Sequence, residues 1–205
     1  MIPDTQYIEK YVADNGGDLN SPLDVPLHCT VKINPKDFKN YAIENQDRVT
    51  RKYIHPRPFL NADSNLQATH VNWIGYNEHN STEYNWGVRQ DENNDLKELL
   101  GKENFDILGI DSDVASVRLL WYNPGHMLPI HYDGKEGFIR LTGRDPDVRF
   151  VVAVEDWNWG HFVQIHDKML TNWKAGDTYI VPPKIFHLSG NAGITPKLTL
   201  TITGV

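Results

Sequence analysis

The 205-residue sequence predicts a mainly β protein, a jelly roll or closed barrel with α-helices at its N-terminal side and flanks. Three observations carry that prediction. From residue 114 onward the chain is a series of eight short apolar runs: "VASVRLLWY", "LPIHYD", "VRFVVAVED", "HFVQIH", "MLTNW", "DTYIVP", "IFHLS" and "KLTLTIT". They are rich in Val, Ile, Thr and aromatics, the residues that suit a pleated, half-buried surface. Gly, Pro, Asn or Asp lies between most of them, and no helical period interrupts them, which is the pattern of a sandwich or barrel.

The first 110 residues read differently. "TQYIEKYVAD" and "PKDFKNYAIENQDRV" can each form a helix, with Pro3 and Pro35 near their starts. "DENNDLKELLGKEN" reads as a third helix, opened by acidic residues and closed near Gly101. "LQATHVNWIGY" looks like a strand and "NEHNSTEYNWG" like a polar loop. No linker separates the halves. One domain over 1–205 is expected, with 1–110 as a mixed elaboration and 111–205 as the barrel core.

Composition narrows the function classes. At 40% hydrophobic and 11% aromatic the chain is globular. A net charge of −7 disfavours a nucleic-acid partner. The one cysteine, Cys29, excludes an intramolecular disulfide and reads as a small packed residue in a reducing cytoplasm. "MIPDTQYIEK" has no basic segment followed by an apolar run, and no apolar stretch is long enough to span a membrane. A cytoplasmic protein with no membrane partner is expected.

The chemistry is suggested by "IHYDG" at 130–134. Successive strand side chains alternate faces, so His131 and Asp133 point the same way and can chelate. A third ligand must come from elsewhere. Of the nine histidines, His187 has the most telling surroundings, "IFHLSGNAGITPKLTLTITG". A hairpin about Ala192 would set His187 opposite Lys197, on a polar face shared with Thr199 and Thr201. Leu198, Leu200 and Ile202 would form the other face. An ordinary half-exposed strand carries the same alternation.

Together these residues resemble the Fe(II)/2-oxoglutarate-dependent dioxygenases. That family shows His-x-Asp, a distal His, then Arg or Lys about ten residues later. Here the set is His131, Asp133, His187 after 56 residues, and Lys197 after ten more. "WYNPGHMLPIHYD" is similar to the segment before the motif in prolyl 4-hydroxylases. "W-x-x-G-D … H-x-x-x-N … K", from Trp173 to Lys197, resembles aspartyl/asparaginyl hydroxylase-like members. The resemblance covers the region from about residue 114 to the end. It implies a double-stranded β-helix and Fe(II) held by His131, Asp133 and His187. It also implies 2-oxoglutarate contacted by Lys197, Tyr122 and Thr199. The reaction implied is hydroxylation of an amino-acid or peptide side chain by dioxygen, with release of succinate and CO2. "EDWNWGHFVQ" stands where prolyl hydroxylases carry a Gly-Gly-Glu-like segment, and Asp133 sets the chain apart from the halogenase branch.

Other residues have looser expectations. Arg149, Trp159 and His161 are candidate substrate contacts; Arg118 and Trp73 are further pocket candidates. His126 sits in a loop, and Asn191 either caps a turn or reaches the pocket. Two alternatives stay open. "G-x5-P … H-x3-N", at Gly176, Pro182, His187 and Asn191, resembles a cupin motif and would suit a metal protein that takes no 2-oxoglutarate. A non-catalytic jelly-roll binding domain would place the same polar residues on a wet face.

Overall fold

The computed structural model describes residues 24–53, 79–131, 133–182 and 185–205. In chain order its strands are β1 (Cys29–Thr30), β2 (Thr50–Tyr53), β3 (Thr82–Trp86), β4 (Ser116–Tyr122), β5 (Met127–His131), β6 (Val148–Ala153), β7 (His161–Ile165), β8 (Lys168–Leu170), β9 (Asp177–Ile180), β10 (His187–Asn191) and β11 (Lys197–Gly204). The helices are α1 (Pro35–Glu44), α2 (Gln90–Leu100), α3 (Lys102–Leu108) and α4 (Glu136–Thr142).

One sheet has seven strands in the order β1-β9-β6-β11-β4-β3-β2, the other four in the order β5-β10-β7-β8. From β4 onward the chain passes back and forth between them: β4, β6, β9 and β11 lie in the large sheet, β5, β7, β8 and β10 in the small one. All pairings are antiparallel. That wrapping is a double-stranded β-helix, the jelly roll expected from the run of short apolar segments.

The alternation of β4 and β11 decides what each face of the large sheet does. Val117 and Leu119 on β4, Leu198, Leu200 and Ile202 on β11, and Phe150 and Val152 on β6 point outward. They pack against Phe38 and Ala42 of α1, Leu96 and Leu100 of α2, and Phe105 of α3, forming the main core. Asn34 caps α1 by accepting from the Lys36 amide, with Pro35 in the first turn. Asn93 on α2 accepts from the Val117 amide at 2.7 Å, so the helix is stitched to β4 as well as packed on it. Cys29 packs at the edge of this core.

Four expectations need correction. β10 and β11 do not form a hairpin about Ala192; they lie in different sheets, β10 beside β5 and β7, β11 beside β4 and β6. The turn is held by Asn191, whose side chain donates to the carbonyls of Tyr122 and Thr195 and accepts from the Gly193 amide. The polar stripe of β11 is not half-exposed, because Lys197 and Thr199 are buried inside the barrel. "NEHNSTEYNWG" contains a strand: Thr82–Trp86 pairs with β2 and β4. The barrel run is also interrupted by a helix, α4, between β5 and β6. "TQYIEKYVAD", "LQATHVNWIGY" and Trp73 lie outside the described residues.

Candidate metal centre

His131 ends β5 and His187 begins β10, and the two are direct partners in the antiparallel ladder. Their ring centroids lie 4.2 Å apart. Asp133 stands just past the end of β5. Its carboxylate comes to 3.8 Å from His131 Nε2 and 3.2 Å from His187 Nε2. One ligand atom from each residue lies within 4.8 Å of the others, and this is the one such cluster found among the described residues.

The donor set suits a metal ion. His131 Nδ1 lies 2.8 Å from the Pro129 carbonyl and His187 Nδ1 lies 3.0 Å from the Ile185 carbonyl. A carbonyl only accepts, so each Nδ1 carries the proton and each Nε2 presents its lone pair toward Asp133. Burial pushes the His187 pKa down to about 4, so the ring is neutral at physiological pH. Two imidazoles and one carboxylate on one side of a site make the two-histidine, one-carboxylate facial set.

Arg149 holds the carboxylate. It pairs with Asp133, and its Nε donates to Thr203 Oγ1 at 3.1 Å. Burial and the neighbouring Arg118 bring the Arg149 pKa down to about 10.

A cavity of about 690 Å³ opens over the three residues, between the two sheets and roofed by Gly137 and Phe138 of α4. Arg118, Tyr122, Arg149 and Thr199 line it, as do the three candidate ligands. Lys197 lies deeper, behind Ser189, Tyr122 and Thr199. It is fully buried and donates to the Phe162 carbonyl at 2.6 Å and Ser189 Oγ at 2.5 Å. Among the described residues no carboxylate is within ion-pair distance of it, and burial alone holds its pKa well below the usual lysine value. Its ammonium also lies 5.0 Å from the Tyr122 ring centroid.

Two expected substrate contacts are elsewhere. Trp159 is 79% exposed and packs on Trp157, and His161 directs Nε2 to the Thr195 carbonyl at the far end of β7. Neither borders the cavity. The reason is register: His161 pairs with Asn191, four residues along β10 from His187. His126 stacks on Tyr84 and lies apart from the cluster.

Sequence reasoning missed Glu83 and Asn85 of β3, both buried and both in the cavity wall. The signal was present: in "TEYNW" aromatics alternate with polar residues at a period of two, the mark of a strand with unlike faces.

No protein-family model matches the sequence, and no curated protein matches it. Solved structures give distant similarities. A cupin 2 conserved barrel domain protein from Salinispora arenicola is 12% identical over 44% of this chain and 63% of its own length, with a TM-score of 0.32. A predicted oxalate decarboxylase from Thermotoga maritima is 15% identical over 49% of this chain and 73% of its own, with a TM-score of 0.34. The salicylate 1,2-dioxygenase of Pseudoaminobacter salicylatoxidans is 15% identical over 44% of this chain and 21% of its own, with a TM-score of 0.33. The chain thus spans less than two thirds of the Salinispora protein and about a fifth of the dioxygenase. At such distances neither ligand nor activity transfers, and the fold rests on the strand order above. No helix among the described residues is long and apolar enough to cross a membrane.

Proposed function

We propose that this protein is a mononuclear-metal oxygenase that holds Fe(II) through His131, Asp133 and His187 and uses 2-oxoglutarate to hydroxylate an amino-acid or peptide side chain. The observation that carries the reading is the pairing of that ligand set with a buried, uncompensated cation. A lysine ammonium buried without a counter-charge is costly, and a carboxylate reaching it would restore the balance. Lys197 lies on the barrel's inner face next to Tyr122 and Ser189, which line the cavity, and in this reading it is the group that receives the distal carboxylate of a dicarboxylic 2-oxo acid. Iron with a 2-oxo acid and dioxygen supplies the oxidising power for an unactivated C–H, with succinate and CO2 as by-products. The chain's own part is positional. Backbone carbonyls fix the imidazole tautomers, and Arg149, itself bonded to Thr203, holds Asp133.

A second reading, a cupin-like metal protein that takes no 2-oxo acid, is favoured by one observation. The Lys197 ammonium already has two acceptors and does not itself line the cavity.

Anaerobic titration with Fe(II) and then 2-oxoglutarate separates the two. A weak visible charge-transfer band that needs both additions supports the oxygenase. Tight Fe(II) binding with no band supports the second reading. Failure to bind metal overturns both.

A further inference from the structure

The cavity wall away from the candidate metal ligands has a second set of polar groups, contributed by β3, β4 and α4. Asn85 is 1% exposed. Its Nδ2 donates to Glu83 Oε1 at 3.1 Å, while its Oδ1 is buried with no hydrogen-bond partner. The amide cannot be reversed, because that would set two acceptor oxygens against each other. A buried orphan acceptor marks a place where a donor belongs. Glu83 lies beside it and is itself held by the Tyr122 hydroxyl at 3.1 Å. An acceptor amide next to a carboxylate suits a cationic donor, an ammonium.

The opposite charge stands one step away on the next strand. Asn85 pairs with Leu120, so Arg118 is its diagonal neighbour on the same face. Diagonal positions across a ladder are about 7–8 Å apart between backbones, within reach of one small molecule held between the two side chains. The Arg118 guanidinium donates no hydrogen bond among the described residues, and it rests against α4 at Gly137, where a Cβ would fall 2.8 Å from Nη2. Glu83 and Arg140 are both close enough to act on its charge. Of the cavity's other two arginines, Arg149 is occupied by Asp133 and Arg140 is exposed.

We propose that the cavity binds a free α-amino acid as its zwitterion, with the carboxylate on Arg118 and the ammonium on Glu83 and Asn85 Oδ1. A residue inside a peptide has lost both charges to amide bonds and would offer neither a carboxylate to Arg118 nor an ammonium to the unpartnered Asn85 Oδ1. The proposal deepens the oxygenase reading and rests on it for the fate of the bound molecule, though not for the binding.

The test is calorimetry on the full chain, metal-free, so that chelation of a metal by the amino acid cannot imitate binding. The probes are the standard L-amino acids, and the tightest is then offered as its N-acetyl and its amide derivatives. At least one free amino acid should bind, and blocking either end should weaken it about tenfold or more. Glu83→Gln and Arg118→Met should each do the same. Gly137→Ala gives a control for folding, since the added methyl meets only the end of the flexible Arg118 side chain. It should keep the melting temperature and still weaken binding. The proposal is overturned if no free amino acid binds, if the blocked derivatives bind as well as the free one, or if Arg118→Met and Gly137→Ala both leave affinity unchanged. The two readings fail separately. Amino-acid binding without the iron–2-oxoglutarate band would sink the oxygenase alone, and the band without amino-acid binding would sink the zwitterion site alone.

Discussion

The two faces of the seven-stranded sheet are built from the same strands and do opposite things. On the outer face Leu119, Leu198, Leu200 and Ile202 close against α1, α2 and α3, and burial of their apolar area stabilises the fold. On the inner face Arg118, Arg149, Lys197 and Thr199 alternate with them one residue apart. These polar groups cost free energy to bury and are only partly matched by neighbours. A protein that maintains two arginines and a lysine inside a barrel, one residue out of phase with its own core, has divided each strand between a packed apolar face and a polar inner face.

The division predicts that substitutions on the two faces separate cleanly. The largest effect should come from the candidate metal ligands. Asp133→Ala or His187→Ala should abolish stoichiometric metal binding, read by metal titration, while the melting temperature stays near that of the parent. A collapse in stability instead would mean that the inner face is also structural. Next, Leu200→Ala on the outer face should cost about 2–5 kcal/mol in denaturant unfolding, since it leaves a cavity beside a fully buried position. Metal affinity of the remaining folded molecules should be unchanged.

A smaller effect is expected at Lys197→Met. The methionine fills a similar volume without an uncompensated charge, so stability should hold or rise. Affinity for 2-oxoglutarate should fall by about 1.5–3 kcal/mol, one charge-assisted contact. Equal 2-oxoglutarate affinity in parent and variant would remove Lys197 from the cosubstrate site. The smallest effect is on pH dependence. The folded-state pKa of Lys197 lies well below the ordinary 10.5. Between those values the unfolded chain carries a proton that the folded chain lacks, so stability from this group rises with pH and levels off above 10.5. Lys197→Met should flatten that part of the stability profile. An unchanged slope would show that the lysine is not responsible.

The faces also explain what was legible in the sequence. The barrel could be read because β4 to β11 are short, β-branched and punctuated by turn residues, signals that are local. His131 and Asp133 could be read from strand alternation and His187 from the resemblance to a known ligand pattern, and the structure does bring the three side chains together. Their mode of assembly could not be read. The turn at Asn191 suggests a hairpin, but connections between sheets use the same turn residues, and only the whole wrapping distinguishes the two. Helix α4 was missed because its seven residues are too few to show a period. Trp159 looked like a pocket residue because it sits at a strand–loop junction, and His161 because a histidine on that strand can face inward, yet both stand at the end of β7 away from His187. Glu83 and Asn85 were overlooked because the polar stretch around them reads as a loop, although the alternation within "TEYNW" marks a strand.

The cavity's three arginines outnumber its two carboxylates, while the chain as a whole carries a net charge of −7. Field lines from a cationic recess with low-dielectric walls are focused out through its mouth, while the net negative charge of the chain repels the same anions on average. Small anions would therefore be drawn toward one opening rather than held loosely over the surface. Their capture should be fast in dilute buffer and slow markedly as added salt shortens the screening length toward about 8 Å, even where the equilibrium contacts inside the barrel are unaltered.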